Sequence, residues 1–295
     1  MWVTSDQRHG TVERSARLLG LGSDRIQQIP SAADGTLGAP DLDHALASDR
    51  DAPTVVILQA GDVNIGAYDP FETLIPLAHQ YGAWVHVDGA FGMWAAASPT
   101  YRHLVRGIGD ADSWATDGHK WLNVPYDCGY AFVRDAGSHA ASMSHRESYL
   151  TLQAGARDEV DWNPEFSRRA RGFPTYAAIR QLGRDGVAEL VDRCCHHARA
   201  LVTRIGGLAG AEVVAAPIVN QGLVRFLDPA PGASPSDHDR RTDRVIAAID
   251  RSGEAFFGGT TWRGRRAMRV SVSSWRTTAE DVDRVVNAVA AALRA

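Results

Sequence analysis

Two short apolar runs rich in β-branched residues, Thr54-Val55-Val56-Ile57-Leu58 and Ala83-Trp84-Val85-His86-Val87, bracket a segment of helical spacing. This order limits the fold more than any other feature of the chain. Runs without polar alternation suit strands buried on both faces. Asp69-Pro70 opens the helical stretch, Phe71, Leu74, Ile75 and Ala78 share one face of it, and Gly82 closes it where a C-terminal glycine belongs. Strand, helix and strand in this order make a right-handed βαβ unit in a parallel sheet. Ser113-Trp114-Ala115-Thr116 and Tyr130-Ala131-Phe132-Val133 add two short strands. In such sheets ligands sit beyond the carboxyl ends of the strands, where Asp88 and Asp117-Gly118-His119-Lys120 fall.

The rest of the chain divides around this unit. Residues 135–166 mix serines and glycines with polar residues and sustain no period, which predicts a long loop. From Pro174 two helices, separated by Gly183-Arg184-Asp185-Gly186, bridge to a smaller domain. That domain holds strands near 212–214, 223–227 and 268–272, a turn-rich linker from Pro229 to Pro235, and a turn at Gly258-Gly259. The final helix carries a capping box, Thr277-x-x-Glu280, and a stripe of Val282, Val285, Val286, Val289 and Leu293 that reads as core packing. The expected class is α/β, a mostly parallel sheet with flanking helices plus a smaller C-terminal α+β domain. The division is 1–172 and 173–295.

Composition excludes several functions. The 295 residues carry 31 Lys and Arg against 35 Asp and Glu, a net charge of −4 without basic blocks, so nucleic acid and anionic membranes are not expected partners. No apolar run approaches the ~20 residues that span a bilayer. Cys128, Cys194 and Cys195 show no C-x-x-C pair, so the reading is a reducing, cytoplasmic compartment without a disulfide framework. His79, His86, His196, His197 and His238 lack metal-ligand spacing, so no metal is expected, and His196 and His197 suit an exposed helix face.

Lys120 is the only lysine in the sequence. Codon bias accounts for the missing lysines but not for the surviving one. Arginine replaces lysine on a solvated surface, yet it cannot form a Schiff base with an aldehyde. Val87-Asp88-Gly89-Ala90 ends one predicted strand, and His119-Lys120 follows another, 32 residues after Asp88. Pyridoxal phosphate chemistry needs this pair. An amine holds the cofactor aldehyde, and a carboxylate keeps the pyridinium nitrogen protonated so that the ring accepts electrons.

These residues resemble the group II pyridoxal-phosphate-dependent decarboxylases of fold type I, which include aromatic-amino-acid and glutamate decarboxylases. The likeness runs along nearly the whole chain. Ser5-Asp6-Gln7-Arg8-His9-Gly10-Thr11-Val12-Glu13-Arg14 is similar to the family segment whose histidine stacks on the cofactor ring, which implies that role for His9. Gly61-Asp62-Val63-Asn64-Ile65-Gly66-Ala67-Tyr68-Asp69 resembles the turn beside the cofactor, and places Asn64 there. Val87-Asp88-Gly89-Ala90 matches the pyridinium aspartate, with Ala90 on the other ring face. His119-Lys120-Trp121-Leu122, continued by Tyr126-Asp127-Cys128-Gly129, matches the Schiff-base motif, with His119 beside the cofactor. Ser167-Arg168-Arg169 resembles the start of the family's passage into its small domain.

The resemblance also implies a reaction. An L-amino acid displaces Lys120, its α-carboxylate leaves as carbon dioxide, and Tyr149, 29 residues after the lysine in the long loop, returns a proton to Cα. The product is an amine, and the family is commonly a homodimer. Family members carry a substantial segment before the ring-stacking histidine, which holds the cofactor phosphate. Eight residues precede His9 here, so that segment is expected to be absent. Asp117 stands where some members have asparagine. Two readings therefore stay open. One is an amino-acid decarboxylase, with an aldehyde-forming or other carbon–carbon lyase relative as a variant. The other is a truncated, catalytically incompetent remnant of the fold.

Overall fold

The computed structural model describes residues 1–145 and 158–294. The chain runs β1 (Trp2–Ser5), α1 (Thr11–Leu18), β2 (Ile26–Ile29), α2 (Ala39–Ala47), β3 (Val55–Gln59), α3 (Phe71–Gln80), β4 (Trp84–Asp88), β5 (Ser113–Asp117), α4 (Gly118–Trp121), β6 (Gly129–Val133) and α5 (Ala136–Met143). It continues through α6 (Gly172–Gly206), β7 (Ala211–Ala215), β8 (Gln221–Phe226), α7 (Pro235–Ser252), β9 (Gly258–Trp262), β10 (Arg265–Ser271) and α8 (Ala279–Arg294). Short 3-10 turns fill the segment between β4 and β5.

The two apolar runs become β3 and β4, paired in parallel with Val55 opposite Trp84 and Gln59 opposite Asp88. They lie at the centre of a six-stranded sheet of order β2-β1-β3-β4-β5-β6, in which only β6 runs antiparallel to its neighbour. Side chains alternate between the faces of a strand. Val3, Val56, Leu58, Val85 and Val87 point one way and are fully buried, in one core with Leu42 of α2, Leu74 and Ile75 of α3 and Leu201 of α6. Trp2, Val55, Ile57, Trp84, His86, Ser113 and Ala115 alternate with them and line a cleft instead.

The antiparallel sheet, order β7-β8-β10-β9, packs through Val224, Phe226, Met268 and Val270 into the same core. Between the sheets α6 bends at Gly183, whose φ of 63° and ψ of −175° break the helix within the glycine-rich segment expected to separate two helices.

Several elements differ from expectation. β1 and β2 were not legible, because four residues are too few to show a period and β2 reads Ile-Gln-Gln-Ile. Within the expected loop, residues 136–143 form α5, because Asp135 caps it by accepting a hydrogen bond from Ser138 N at 2.5 Å. Gly258-Gly259 is not a turn but the start of β9, and the reversal occurs at Arg263-Gly264. The last capping box lies one residue on. Thr278 N donates to Asp281 Oδ2 at 3.0 Å, and Asp281 N donates to Thr278 Oγ1 at 3.3 Å. His196 is exposed as expected, but the side chain of His197 is buried, because that side of α6 faces the core. The valine stripe of α8 packs as read, with Val282, Val286 and Val289 buried.

Candidate active site

The cleft encloses about 980 Å³ and begins at the carboxyl ends of β3, β4 and β5. Asp88, the last residue of β4, lines it, and Asp88 Oδ1 accepts a hydrogen bond from Ala90 N at 3.2 Å. Asp117, the last residue of β5, lines the neighbouring wall. Strand β5 passes directly into α4, which carries Lys120 on its single turn. The passage requires glycine at 118, because a Cβ there would collide with the Tyr130 hydroxyl, itself 2.6 Å from Thr175 Oγ1 of α6. The short strands and the glycine thus place the lysine amine and the Asp88 carboxylate on one cleft wall, from adjacent strands.

Lys120 Nζ lies 3.1 Å from Asp117 Oδ2 and 5.8 Å from the Phe91 ring centroid. His119 Nε2 lies 3.6 Å from the same carboxylate oxygen, and its ring stacks on Tyr126 with centroids 4.4 Å apart. Its Nδ1 is buried and meets no hydrogen-bond partner among the described residues. Asp117 is therefore the ionic partner of Lys120 and lies beside the His119 ring.

His9 stands just before α1, exposed on the cleft rim. Its Nδ1 accepts from Thr11 N at 3.3 Å and lies 2.7 Å from Thr11 Oγ1, so its proton is on Nε2. Ala90 lines the cleft beside Asp88. Asn64 does not reach the cleft wall. Its Oδ1 accepts from Thr260 Oγ1 at 2.7 Å and its Nδ2 donates to Gln7 at 3.3 Å, tying the 61–67 loop to β9. That loop is organised by Asp62, whose carboxylate accepts from Asn64 N, Ile65 N and Ala67 N at 2.6–3.1 Å. Burial pushes the Asp62 carboxyl above the ordinary carboxylate value. Tyr149 lies outside the described residues.

The opposite wall comes from the antiparallel sheet and carries candidates that sequence reasoning missed. Arg269 of β10 faces the cleft, flanked by the fully buried Met268 and Val270. Its Nη1 donates to Val63 O at 3.2 Å, and no carboxylate pairs with it among the described residues. Burial lowers its pKa from the usual guanidinium value. One signal was available: an arginine interrupting the apolar Ala267-Met268-Arg269-Val270 run. Asn220, Gln221, Ser271 and Ser273 complete this polar wall.

Comparison with known proteins assigns the chain to a family. An L-2,4-diaminobutyrate decarboxylase of Rhizobium meliloti (strain 1021) is 27% identical over 294 residues, covering 97% of this chain and 58% of the relative. A 4-hydroxyphenylacetaldehyde synthase of Rhodiola rosea is 28% identical over 291 residues, covering 95% and 58%. The chain thus spans less than two thirds of the length of these curated relatives. The crystal structure of Oryza sativa TDC with PLP and tryptamine superposes with a TM-score of 0.93 at 27% identity, over 99% of this chain and 62% of that one. The family model described as the pyridoxal-dependent decarboxylase conserved domain matches residues 1–227, and the chain belongs to that family.

Proposed function

We propose that this chain carries the catalytic core of a pyridoxal-phosphate-dependent decarboxylase acting on an L-amino acid. One observation carries the reading: the only lysine of the sequence and the Asp88 carboxylate stand at adjacent strand ends on the wall of one cleft. The residues present fit the cofactor. The cleft is at the upper end of the roughly 300–1,000 Å³ usual for ligand sites. The buried, unpartnered His119 Nδ1 beside Lys120 marks polar capacity that the protein itself does not use.

When bound, pyridoxal phosphate supplies an aldehyde for an amine and a protonated ring that accepts the electron pair released with carbon dioxide. The chain's own residues do the rest. Lys120 Nζ is the amine that holds the cofactor, kept at the strand end by Asp117. Asp88 keeps a proton on the ring nitrogen. His9, on the cleft rim, would help hold the ring. Arg269 binds the α-carboxylate of the amino acid, since its guanidinium is desolvated and its partner among the described residues is a carbonyl. Tyr149 returns the proton to Cα. The working assembly is a homodimer, supported by the exposed Phe173, Tyr176 and Ile179 along α6. A cytoplasmic setting agrees with three buried, unpaired cysteines, and among the described residues no helix is long and apolar enough to cross a membrane.

The test adds pyridoxal phosphate to the purified chain, reduces with borohydride and maps the modified peptide. Cofactor mass on Lys120 is expected, and amino acids are then screened for carbon dioxide and amine release. No uptake, or mass spread over the N-terminus alone, overturns the reading for this chain. Tyr149→Phe is expected to suppress amine formation while leaving cofactor on Lys120. Aldehyde in place of amine in the native chain would align it with the Rhodiola rosea synthase instead.

A further inference from the structure

Nearer the amino ends of β4 and β5 than Asp88, three side chains are linked to one another. Trp84 Nε1–H donates to Ser113 Oγ at 2.8 Å, and Ser113 Oγ lies 2.9 Å from His86 Nδ1. With one lone pair taken by the indole, the serine still has a hydroxyl proton to place. Among the described residues His86 Nδ1 is the acceptor it meets. When the hydroxyl donates along this contact, Nδ1 is the accepting nitrogen and the ring proton sits on Nε2. Burial lowers the His86 pKa, opposed by the nearby Asp88 carboxylate, so the ring is neutral at pH 7.

The other end of this ring is free to act. His86 lines the cleft, and its Nε2 is not among the buried polar atoms left without a partner, so that N–H opens onto the cleft. His86 and Asp88 leave the same face of β4 two residues apart, about 6.6 Å along the strand. Asp88 Oδ1 takes the Ala90 N–H, and among the described residues Oδ2 meets no protein donor. The charged and titratable groups facing this region are His9 from α1, Asp88 from β4 itself, Asp117 from β5, Lys120 from α4 and Arg269 from β10.

We propose that Trp84, Ser113 and His86 form a positioning chain for Asp88. The serine locks His86 in its Nε2–H tautomer, and that N–H, through one water, holds Asp88 Oδ2 turned toward the cleft. His86 is a positioning residue and touches neither substrate nor cofactor. Its benefit is realised when a ligand covers the cleft, because a carboxylate taken out of water needs each hydrogen bond it can keep. The inference rests on the role given to Asp88 above, but its first test does not.

That test uses the chain without cofactor. Nitrogen-15 NMR of the labelled histidines, with His86 assigned by its loss in His86→Gln, is expected to show the Nε2–H tautomer. The His86 titration midpoint is expected to fall in Asp88→Asn, because the carboxylate favours the imidazolium. Ser113→Ala is expected to leave a mixture of tautomers. An Nδ1–H tautomer in the native chain, or a midpoint indifferent to Asp88→Asn, overturns the proposal.

With pyridoxal phosphate added, His86→Phe is expected to weaken its binding about 10-fold, the scale of one hydrogen bond to a charged group. It should also move the pH at which the bound cofactor's absorption changes. His86→Gln, whose amide N–H takes the place of Nε2–H, is expected to stay within about threefold of the native chain. Equal losses in both variants at unchanged thermal midpoints point to packing alone and overturn the proposal. If the native chain takes up no cofactor, the proposed function fails, while the tautomer and its coupling to Asp88 are still read in the chain itself.

Discussion

The two faces of the six-stranded sheet are built from the same strands and hold opposite contents. On one, Val3, Val56, Leu58, Val85 and Val87 are fully buried against α2, α3 and α6. On the other, the residues between them include Gln59, His86, Asp88, Ser113 and Asp117, and Trp84 remains 38% exposed. A purely apolar strand can be buried on both sides, as the runs at 54–58 and 83–87 suggested. Here alternate positions of β4 and β5 turn polar toward the carboxyl ends, so one face carries the stability and the other the chemistry. The site is therefore held by residues that never touch it.

That division can be broken by substitution. The largest effect is expected at Lys120. Lys120→Arg keeps the charge and the ion pair with Asp117 but removes the amine, so cofactor attachment and turnover are both expected to vanish while the thermal midpoint hardly moves. Peptide mapping after borohydride and calorimetry check the two halves. On the covered face, Leu58→Ala is expected to cost about 2–5 kcal/mol in denaturant unfolding, because its cavity cannot collapse among fully buried neighbours. Val55→Ala, on the same strand but facing the cleft, is expected to cost under about 1 kcal/mol. Equal costs for these two would show that the cleft face is as tightly packed as the other, and the comparison would fall.

The parts of this arrangement that were legible in the sequence are those whose chemistry restricts residue type. In the proposed role nothing but lysine serves at 120, and a carboxylate at a strand end beside it is conspicuous, so the pairing of Asp88 and Lys120 on one cleft wall was legible in the sequence. The core strands were readable because buried parallel strands tolerate few polar residues. Arg269 was overlooked for the opposite reason: among so many arginines, its place inside an apolar run was the one faint signal. Its burial arises only when β10 folds back onto Val63, 206 residues earlier. Ser113 and His86 were hidden likewise, since their hydrogen bond crosses between strands 27 residues apart in sequence. Asn64 shows the reverse case. Its motif drew attention to the cofactor turn, yet its amide is spent on Gln7 and Thr260, and the turn is organised by Asp62.

Titration sharpens the comparison from the buried side. Asp69, buried just before α3 and against the end of β3, accepts hydrogen bonds from Leu37 N and Gln59 N at 2.7–2.8 Å. Burial nevertheless pushes its carboxyl up to about 6, the two N–H bonds pulling it partly back. The folded chain then keeps a proton that the unfolded chain releases near pH 4. Stability conferred by this group is complete below that point and is lost as pH rises to about 6, by up to roughly 3 kcal/mol. Asp62 pushes in the same direction. Unfolding free energy measured from pH 4 to 7 is expected to decline across this window, and the decline is expected to shrink in Asp69→Asn. A rise across the same window would mean that the backbone donors outweigh burial.

The smallest expected effect separates binding from folding on the cleft's far wall. Arg269 is half-buried and, among the described residues, bonded to a single carbonyl, which is a poor use of a guanidinium for stability, since a desolvated cation without a carboxylate partner costs more than it returns. Arg269→Gln can keep one N–H for Val63 O while losing the charge. Its thermal midpoint is therefore expected to stay level or rise. If the residue binds the α-carboxylate of an amino acid, KM is expected to rise about 10-fold, the value of one charge-assisted contact, with kcat changed less because the anchor is as useful to the bound substrate as to the transition state. Loss of folding with unchanged KM would make Arg269 part of the scaffold. The division of labour between the core and the cleft would then stop at the parallel sheet rather than extend to the antiparallel one.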